Sequence, residues 1–108
     1  MEQADVVVVG SGPNGMAAAV TMARGGLEVL VIEGQETIGG GARTLDLGLE
    51  VGMRHDVCSA VHPMALASPF LRDFDLRARG VELAVPELSY AQPLDGGRVG
   101  LAWHDLDR

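Results

Sequence analysis

The chain has 108 residues, 47% hydrophobic but only 4% aromatic, the length of one small domain or part of one, with a modest core of small aliphatic side chains. A formal net charge of −7 excludes a nucleic-acid or anionic-membrane surface, because such binding needs clustered Lys and Arg to neutralise phosphates. The single cysteine, Cys58, excludes a disulfide framework, a thiolate metal cluster or an internal dithiol pair within these residues, so redox chemistry would need a cofactor.

The opening Met-Glu-Gln-Ala-Asp carries no basic flank, and the apolar run Val6 to Val9 is too short for a signal-peptide core or a membrane span. These features point to a soluble, cytoplasmic protein. Ala4 to Gly10 is a continuous β-branched run, the pattern of a strand buried on both faces of a parallel sheet. From Pro13 to about Arg24 the pattern predicts a helix with Met16, Ala19, Val20 and Ala23 on one face, ended by Gly25-Gly26. Leu27 to Ile32 predicts a second strand closed by Glu33, which completes one right-handed βαβ unit between Asp5 and Glu33.

Gly34 to Arg43 reads as a loop with three consecutive glycines, and Thr44 to Met53 as a short extended segment. Ser68-Pro69 has the form of a helix start, with Phe70, Leu71 and Phe74 as its apolar face, which predicts a helix over 69–79 closed by Gly80. Leu83 to Val85, Leu88 to Leu94 and Val99 to Trp103 read as strands, the last two joined as a hairpin across Asp95-Gly96-Gly97.

Gly10-Ser11-Gly12-Pro13-Asn14-Gly15 matches G-x-G-x-x-G between the first strand and the helix, with an acid 18 residues beyond its last glycine. Each residue type has a physical reason. Gly10 allows the tight turn out of the strand, Gly12 lets backbone N–H groups approach a pyrophosphate, and Gly15 lets the helix pack closely on the sheet. The phosphates then sit at the positive end of the helix. Glu33 is placed to accept hydrogen bonds from ribose hydroxyls, and no Arg or Lys follows it to hold a 2′-phosphate, which disfavours NADP. The fingerprint alone leaves open whether the dinucleotide is NAD or FAD.

The next segment, Ile38-Gly39-Gly40-Gly41-Ala42-Arg43-Thr44, resembles that of the flavoprotein superfamily of phytoene desaturases and amine oxidases. Within it, the stretch Arg54 to Pro63 with Ser68-Pro69-Phe70 looks most like the branch containing pyridine nucleotide-disulfide oxidoreductase domain-containing protein 2. The resemblance covers almost the whole chain, with its specific part in Val6 to Thr44. It implies a Rossmann-type FAD-binding domain of α/β class, with Gly10, Gly12, Pro13, Asn14, Gly15, Glu33, Gly34, Gly40, Gly41, Arg43 and Thr44 lining FAD. The family most often places Arg directly after its glycine pair, whereas here Gly41 follows Gly39-Gly40 and Arg43 comes two positions later; a solvated loop role for Arg43 therefore stays open.

By the same resemblance, residues 1–45 form the FAD-binding βαβ unit with its glycine loop. Residues 46–108 continue the FAD domain and begin an incomplete substrate-side region. The implied activity is FAD-dependent oxidation of a C–C or C–N bond in an apolar or amine-like small molecule, performed by a longer protein, with this chain inactive alone. The alternatives are an NAD-binding Rossmann segment and a truncated non-catalytic fragment. His55, His62 and His104 lie seven and forty-two residues apart, a spacing that fits no helical pair, so no metal site is expected. Arg54 and His55 read as loop anchors in preference to flavin contacts, and no catalytic residue is assigned, since in flavin enzymes the cofactor carries the hydride chemistry.

Overall fold

The computed structural model describes residues 3–107. Met1 and Glu2, part of the unflanked start, and Arg108, where the chain ends, lie outside the described residues. The chain divides into two compact units, one running to Asp73 and the other beginning at Phe74.

The first unit is built on β1 (Val6–Val9), α1 (Pro13–Arg24) and β2 (Val29–Ile32). β1 and β2 pair in parallel with Val6 opposite Val29 and Val9 opposite Ile32, and Gly10 N–H extends the ladder to the Ile32 carbonyl at 2.7 Å. A parallel pair needs a crossover, and α1 supplies it. Pro13 suits the first helical turn because it has no N–H to leave unpaired. At the other end Gly26 adopts φ 89°, so its N–H reaches the Ala23 carbonyl and the Leu27 N–H reaches Met22, the Schellman pattern that ends a helix. The predicted strand, helix and strand are therefore all present, as is the glycine stop.

Two details differ from the sequence expectation. The face of α1 turned inward carries Ala19, which is buried, with Gly15 and Met22 half-buried, whereas Met16 and Ala23 are exposed. Similarly, Val6, Val8, Val29 and Val31 are half-buried, but Val7, Val9, Leu30 and Ile32 on the alternate face are exposed, Val9 to 82%. The β-branched run predicts burial on both faces. A strand's side chains alternate, and one helix covers one face. Among the described residues Ala19 is the sole buried apolar residue, so the core is thinner than the composition suggests.

After β2 the chain enters a 3₁₀ turn over Gly40–Ala42 and two short strands, β3 (Thr44–Leu45) and β4 (His55–Asp56), which pair antiparallel. The Val57 N–H to Arg43 carbonyl and Ser59 N–H to Gly41 carbonyl bonds, both 2.9 Å, lengthen this ladder toward the glycine turn. The extended segment predicted over Thr44 to Met53 stops at Leu45. Beyond it the Asp46 carboxylate accepts the Gly48 N–H at 2.8 Å and folds the chain into turns. Two short helices follow, α2 (Met64–Ala67) and α3 (Pro69–Phe74).

The helix predicted over 69–79 is broken. Asp75 takes φ 54° in the left-handed region, and its carboxylate accepts the Ala78 N–H at 3.1 Å, capping a separate 3₁₀ turn over Arg77–Arg79. Aspartate tolerates that backbone better than most residues, and its short side chain competes with the helix for backbone donors. In the second unit β5 (Leu88–Leu94) and β6 (Arg98–Trp103) form the predicted hairpin, with Gly96 and Gly97 at positive φ in the turn. Leu83 to Val85 is not a strand, because no other strand pairs with it among the described residues, and Pro86 removes a ladder donor next to it.

Candidate dinucleotide site

The carboxyl ends of two parallel strands and the start of the helix between them meet at Gly10, Ser11, Gly12 and Glu33. Because Val9 lies opposite Ile32, the next residues, Gly10 and Ser11, arrive beside Glu33. Gly10 turns the chain with φ 95°, and a Cβ on Gly15 would collide with the Gly10 carbonyl oxygen. The close approach of α1 to β1 therefore depends on the absence of a side chain at Gly15.

The Met16 N–H to Gly12 carbonyl bond, 2.9 Å, is the first turn of α1. Helix geometry leaves the N–H groups of Asn14 and Gly15 without an intrahelical acceptor. Gly12 has no side chain to cap them, and the first turn holds no acid, so the positive end of the helix is offered to an external anion.

Ser11 is the hub of the cluster and is 2% exposed. Its N–H donates to Glu33 Oε2 at 2.9 Å, and its hydroxyl donates to the same oxygen at 2.5 Å. Gln35 N–H donates to Glu33 Oε1 at 2.9 Å. The Ser11 hydroxyl, then the Ser11 and Gln35 N–H groups, lower the Glu33 pKa from 4.5 to about 2, against a smaller opposing effect of burial. With its pKa held that low, Glu33 is ionised at neutral pH, an acceptor at the carboxyl end of β2.

The second glycine turn docks on the first. Gly39 N–H is shared between the Ser11 carbonyl and hydroxyl, at 3.2 Å each. A Cβ on Gly40, at φ 56°, would stand 2.8 Å from the Gly12 Cα, so backbone meets backbone there. Arg43 is half-buried, and its Nε donates to the Gly40 carbonyl at 2.8 Å while Nη1 lies 3.5 Å from the Thr37 hydroxyl. It ties the glycine turn in place. Gly41 lies against Cys58, whose Cβ would be 3.4 Å from a Cβ at that position.

The structure thus brings Gly10, Gly12, Gly15, Glu33 and Gly40 together, with Pro13 and Asn14 on the exposed start of α1. Gly34 follows Glu33 in open space. Thr44 is turned to β4, its hydroxyl donating to Asp56 Oδ1 at 2.6 Å and its carbonyl accepting from Arg54 Nη2 at 2.7 Å, so Arg54 anchors the loop. His55 is half-buried, and its Nε2 has no hydrogen-bond partner among the described residues. Sequence reasoning missed Ser11. The signal was a hydroxyl residue between two glycines, one step past a strand whose parallel neighbour ends in an acid. A surface depression lined by Gln3, Ala4, Glu28, Val29 and Leu30 lies at the opposite, amino-terminal end of the two strands. Among the described residues no group of three His, Cys, Asp or Glu is placed to hold a metal ion, and no helix is long and apolar enough to cross a membrane.

A family described as the NAD(P)-binding Rossmann-like domain matches residues 8–74, from β1 through the glycine turns to the end of α3. The chain belongs to that family. Its Rossmann-like α/β fold and dinucleotide-binding character agree with the parallel β1–β2 pair and the loop geometry. The chain is also similar to a limonene dehydrogenase component of Castellaniella defragrans, 32% identical over 82% of this chain and 16% of that protein. Dihydrolipoyl dehydrogenase 3 of Pseudomonas aeruginosa is 50% identical over 37% of this chain and 9% of its own length. A soluble pyridine nucleotide transhydrogenase of Vibrio vulnificus is 40% identical over 49% of this chain and 11% of its own. The chain therefore spans a small part of the curated relatives it matches, 16%, 9% and 11% of their lengths.

Proposed function

We propose that this Rossmann-like chain is the FAD-binding segment of an oxidoreductase longer than itself. Residues 1–45 would form the nucleotide unit, and residues 46–108 would continue the FAD domain toward a substrate region. The observation that carries the choice of FAD is the second glycine turn docked on the first, Gly39 on Ser11 and Gly40 against Gly12. It gives physical form to the Gly39 to Gly41 segment on which the resemblance to phytoene-desaturase-like flavoproteins rests. The relatives' names, two dehydrogenases and a transhydrogenase, support oxidoreductase chemistry.

The residues fit a dinucleotide. Gly12 and Gly40 leave backbone without side chains at the mouth of α1, and Glu33 stands ionised beside it. In this reading the N–H groups at the start of α1 bind the pyrophosphate, Glu33 orients the adenosine ribose, and Arg43 holds the Gly40 turn closed. When bound, FAD supplies hydride transfer, and the chain's own residues bind and orient it. The substrate class proposed is an apolar or amine-like small molecule, by resemblance, in a cytoplasmic enzyme.

An absorbance spectrum of the purified full-length protein tests the reading. A flavin band supports it. No flavin, with NAD bound instead, would overturn the choice of FAD and leave the Rossmann-like fold standing.

A further inference from the structure

We propose that Ser11 is a positioning residue of the dinucleotide site, whose buried hydroxyl fixes the Glu33 carboxylate in the orientation that meets the ribose. The inference rests on the dinucleotide reading above and deepens it. Ser11 is the one buried polar residue among those described, at 2% exposed, and it stands between the first glycine turn, the end of β2 and the second glycine turn.

The direction of its hydroxyl proton is determined. A serine hydroxyl has one proton to donate and two lone pairs to accept with. Gly39 N–H, 3.2 Å away, occupies an acceptor position, and Glu33 Oε2, 2.5 Å away, is the acceptor within reach of the proton. Ser11 N–H donates to that same oxygen at 2.9 Å. Oε2 is thus held by two donors from one residue, while Oε1 accepts the Gln35 N–H, and together these bonds fix the rotation of the carboxylate. A carboxylate already oriented loses less freedom when the ribose arrives, and that preorganisation appears as affinity.

Removing the hydroxyl spares the rest of the cluster. Gly39 N–H also bonds the Ser11 carbonyl at 3.2 Å, so the second glycine turn keeps an anchor in Ser11→Ala. The Ser11 backbone N–H to Glu33 bond persists as well. What is lost is one charge-assisted hydrogen bond on Glu33, and the effect on nucleotide binding should run through Glu33 alone.

The test is a double-mutant cycle in the full-length protein, titrating FAD into the apo forms of wild type, Ser11→Ala, Glu33→Ala and the double variant by flavin fluorescence. Ser11→Ala is expected to weaken FAD binding by roughly three- to tenfold, the cost of ordering a side chain on binding that the bond to Glu33 otherwise removes. In the Glu33→Ala background the same substitution should cost less than about twofold, a coupling that general loosening of the fold would not produce. An unchanged FAD affinity in Ser11→Ala overturns the proposal, as does an equal loss in both backgrounds. If Ser11→Ala fails to fold, Ser11→Cys, of similar size but a weak donor, takes its place in the cycle. A wild type that binds no FAD overturns the functional reading instead. The cycle is then read with NAD, which presents the same adenosine ribose to Glu33.

Discussion

Gly12→Ala separates a glycine that the fold needs from one that a ligand needs. Gly12 has φ −66° and ψ 169°, a backbone any residue adopts, and the nearest atom to a Cβ built there is the Gly40 Cα at 3.8 Å, ordinary van der Waals contact. The unliganded fold should therefore accept alanine with a stability change within about 0.5 kcal/mol, or gain slightly from a less flexible unfolded chain. A pyrophosphate tells a different story, because the second glycine of the fingerprint is where backbone and phosphate come closest. A methyl group there pushes the phosphate off at least one backbone donor, and a hydrogen bond to a charged group contributes about 1.5–3 kcal/mol. Dinucleotide affinity should fall by roughly 10- to 150-fold. Thermal unfolding of the apo protein beside a fluorescence titration with FAD reads both quantities. Unchanged affinity would remove Gly12 from the site, and a large loss of apo stability would show that the glycine serves the turn instead.

Gly15→Ala should do the reverse in the apo protein. Its Cβ meets the carbonyl oxygen of Gly10, a residue tied to β2 through its N–H, so α1 must lift off the strand at a cost of about 1–3 kcal/mol by urea denaturation. Gly34→Ala, with nothing within 4 Å, should leave stability unchanged in the same assay. Glu33 predicts a pH dependence: its folded pKa is lowered from 4.5 to about 2, so its contribution to stability is complete above about pH 4.5 and is lost as pH falls toward 2. The difference in melting temperature between wild type and Glu33→Gln should narrow over that window, and a difference that grows with acid would refute the assignment. Asp75→Ala should destabilise the Arg77–Arg79 turn by about 1 kcal/mol or more, through the φ 54° backbone and the lost Ala78 cap, seen as faster hydrogen exchange at the Ala78 amide.

The part of the fold legible in the sequence is the part fixed by local chemistry. Four consecutive valines, a proline in the first helical turn, a Gly-Gly stop and a terminal acid each act within a few residues, and β1, α1 and β2 appear where they point. The hairpin across Asp95-Gly96-Gly97 is legible for the same reason. What the pattern does not carry is decided by choices between partners. Asp75 spends its side chain on Ala78 and ends the helix at Phe74, the last residue of the apolar face formed by Phe70, Leu71 and Phe74. Leu83 to Val85 has strand composition but no partner strand among the described residues, and composition does not create one. Ser11 occupies a variable position of the fingerprint, so its role emerges only when the parallel register brings it to Glu33 and the second glycine turn brings Gly39 to it.

The deepest burial in the first unit is at the candidate site and not under it. Among the described residues the most buried side chain is Ser11, inside the first glycine turn, whereas the alternate face of β1 and β2 leaves Val7, Val9, Leu30 and Ile32 exposed. Hydrogen bonds among Ser11, Glu33, Gln35 and Gly39 hold this region where a larger apolar core would otherwise do so. Such a site couples binding to folding strongly: a ligand that binds only the folded form at a hundred times its Kd adds about 2.7 kcal/mol of stability. Against a thin core that is a large fraction of a small domain's total stability. Nucleotide should therefore raise the unfolding temperature and also protect the Ser11 and Gly39 amides from exchange. Substitutions in the cradle should shrink both effects together, because the same hydrogen bonds carry the fold and the ligand.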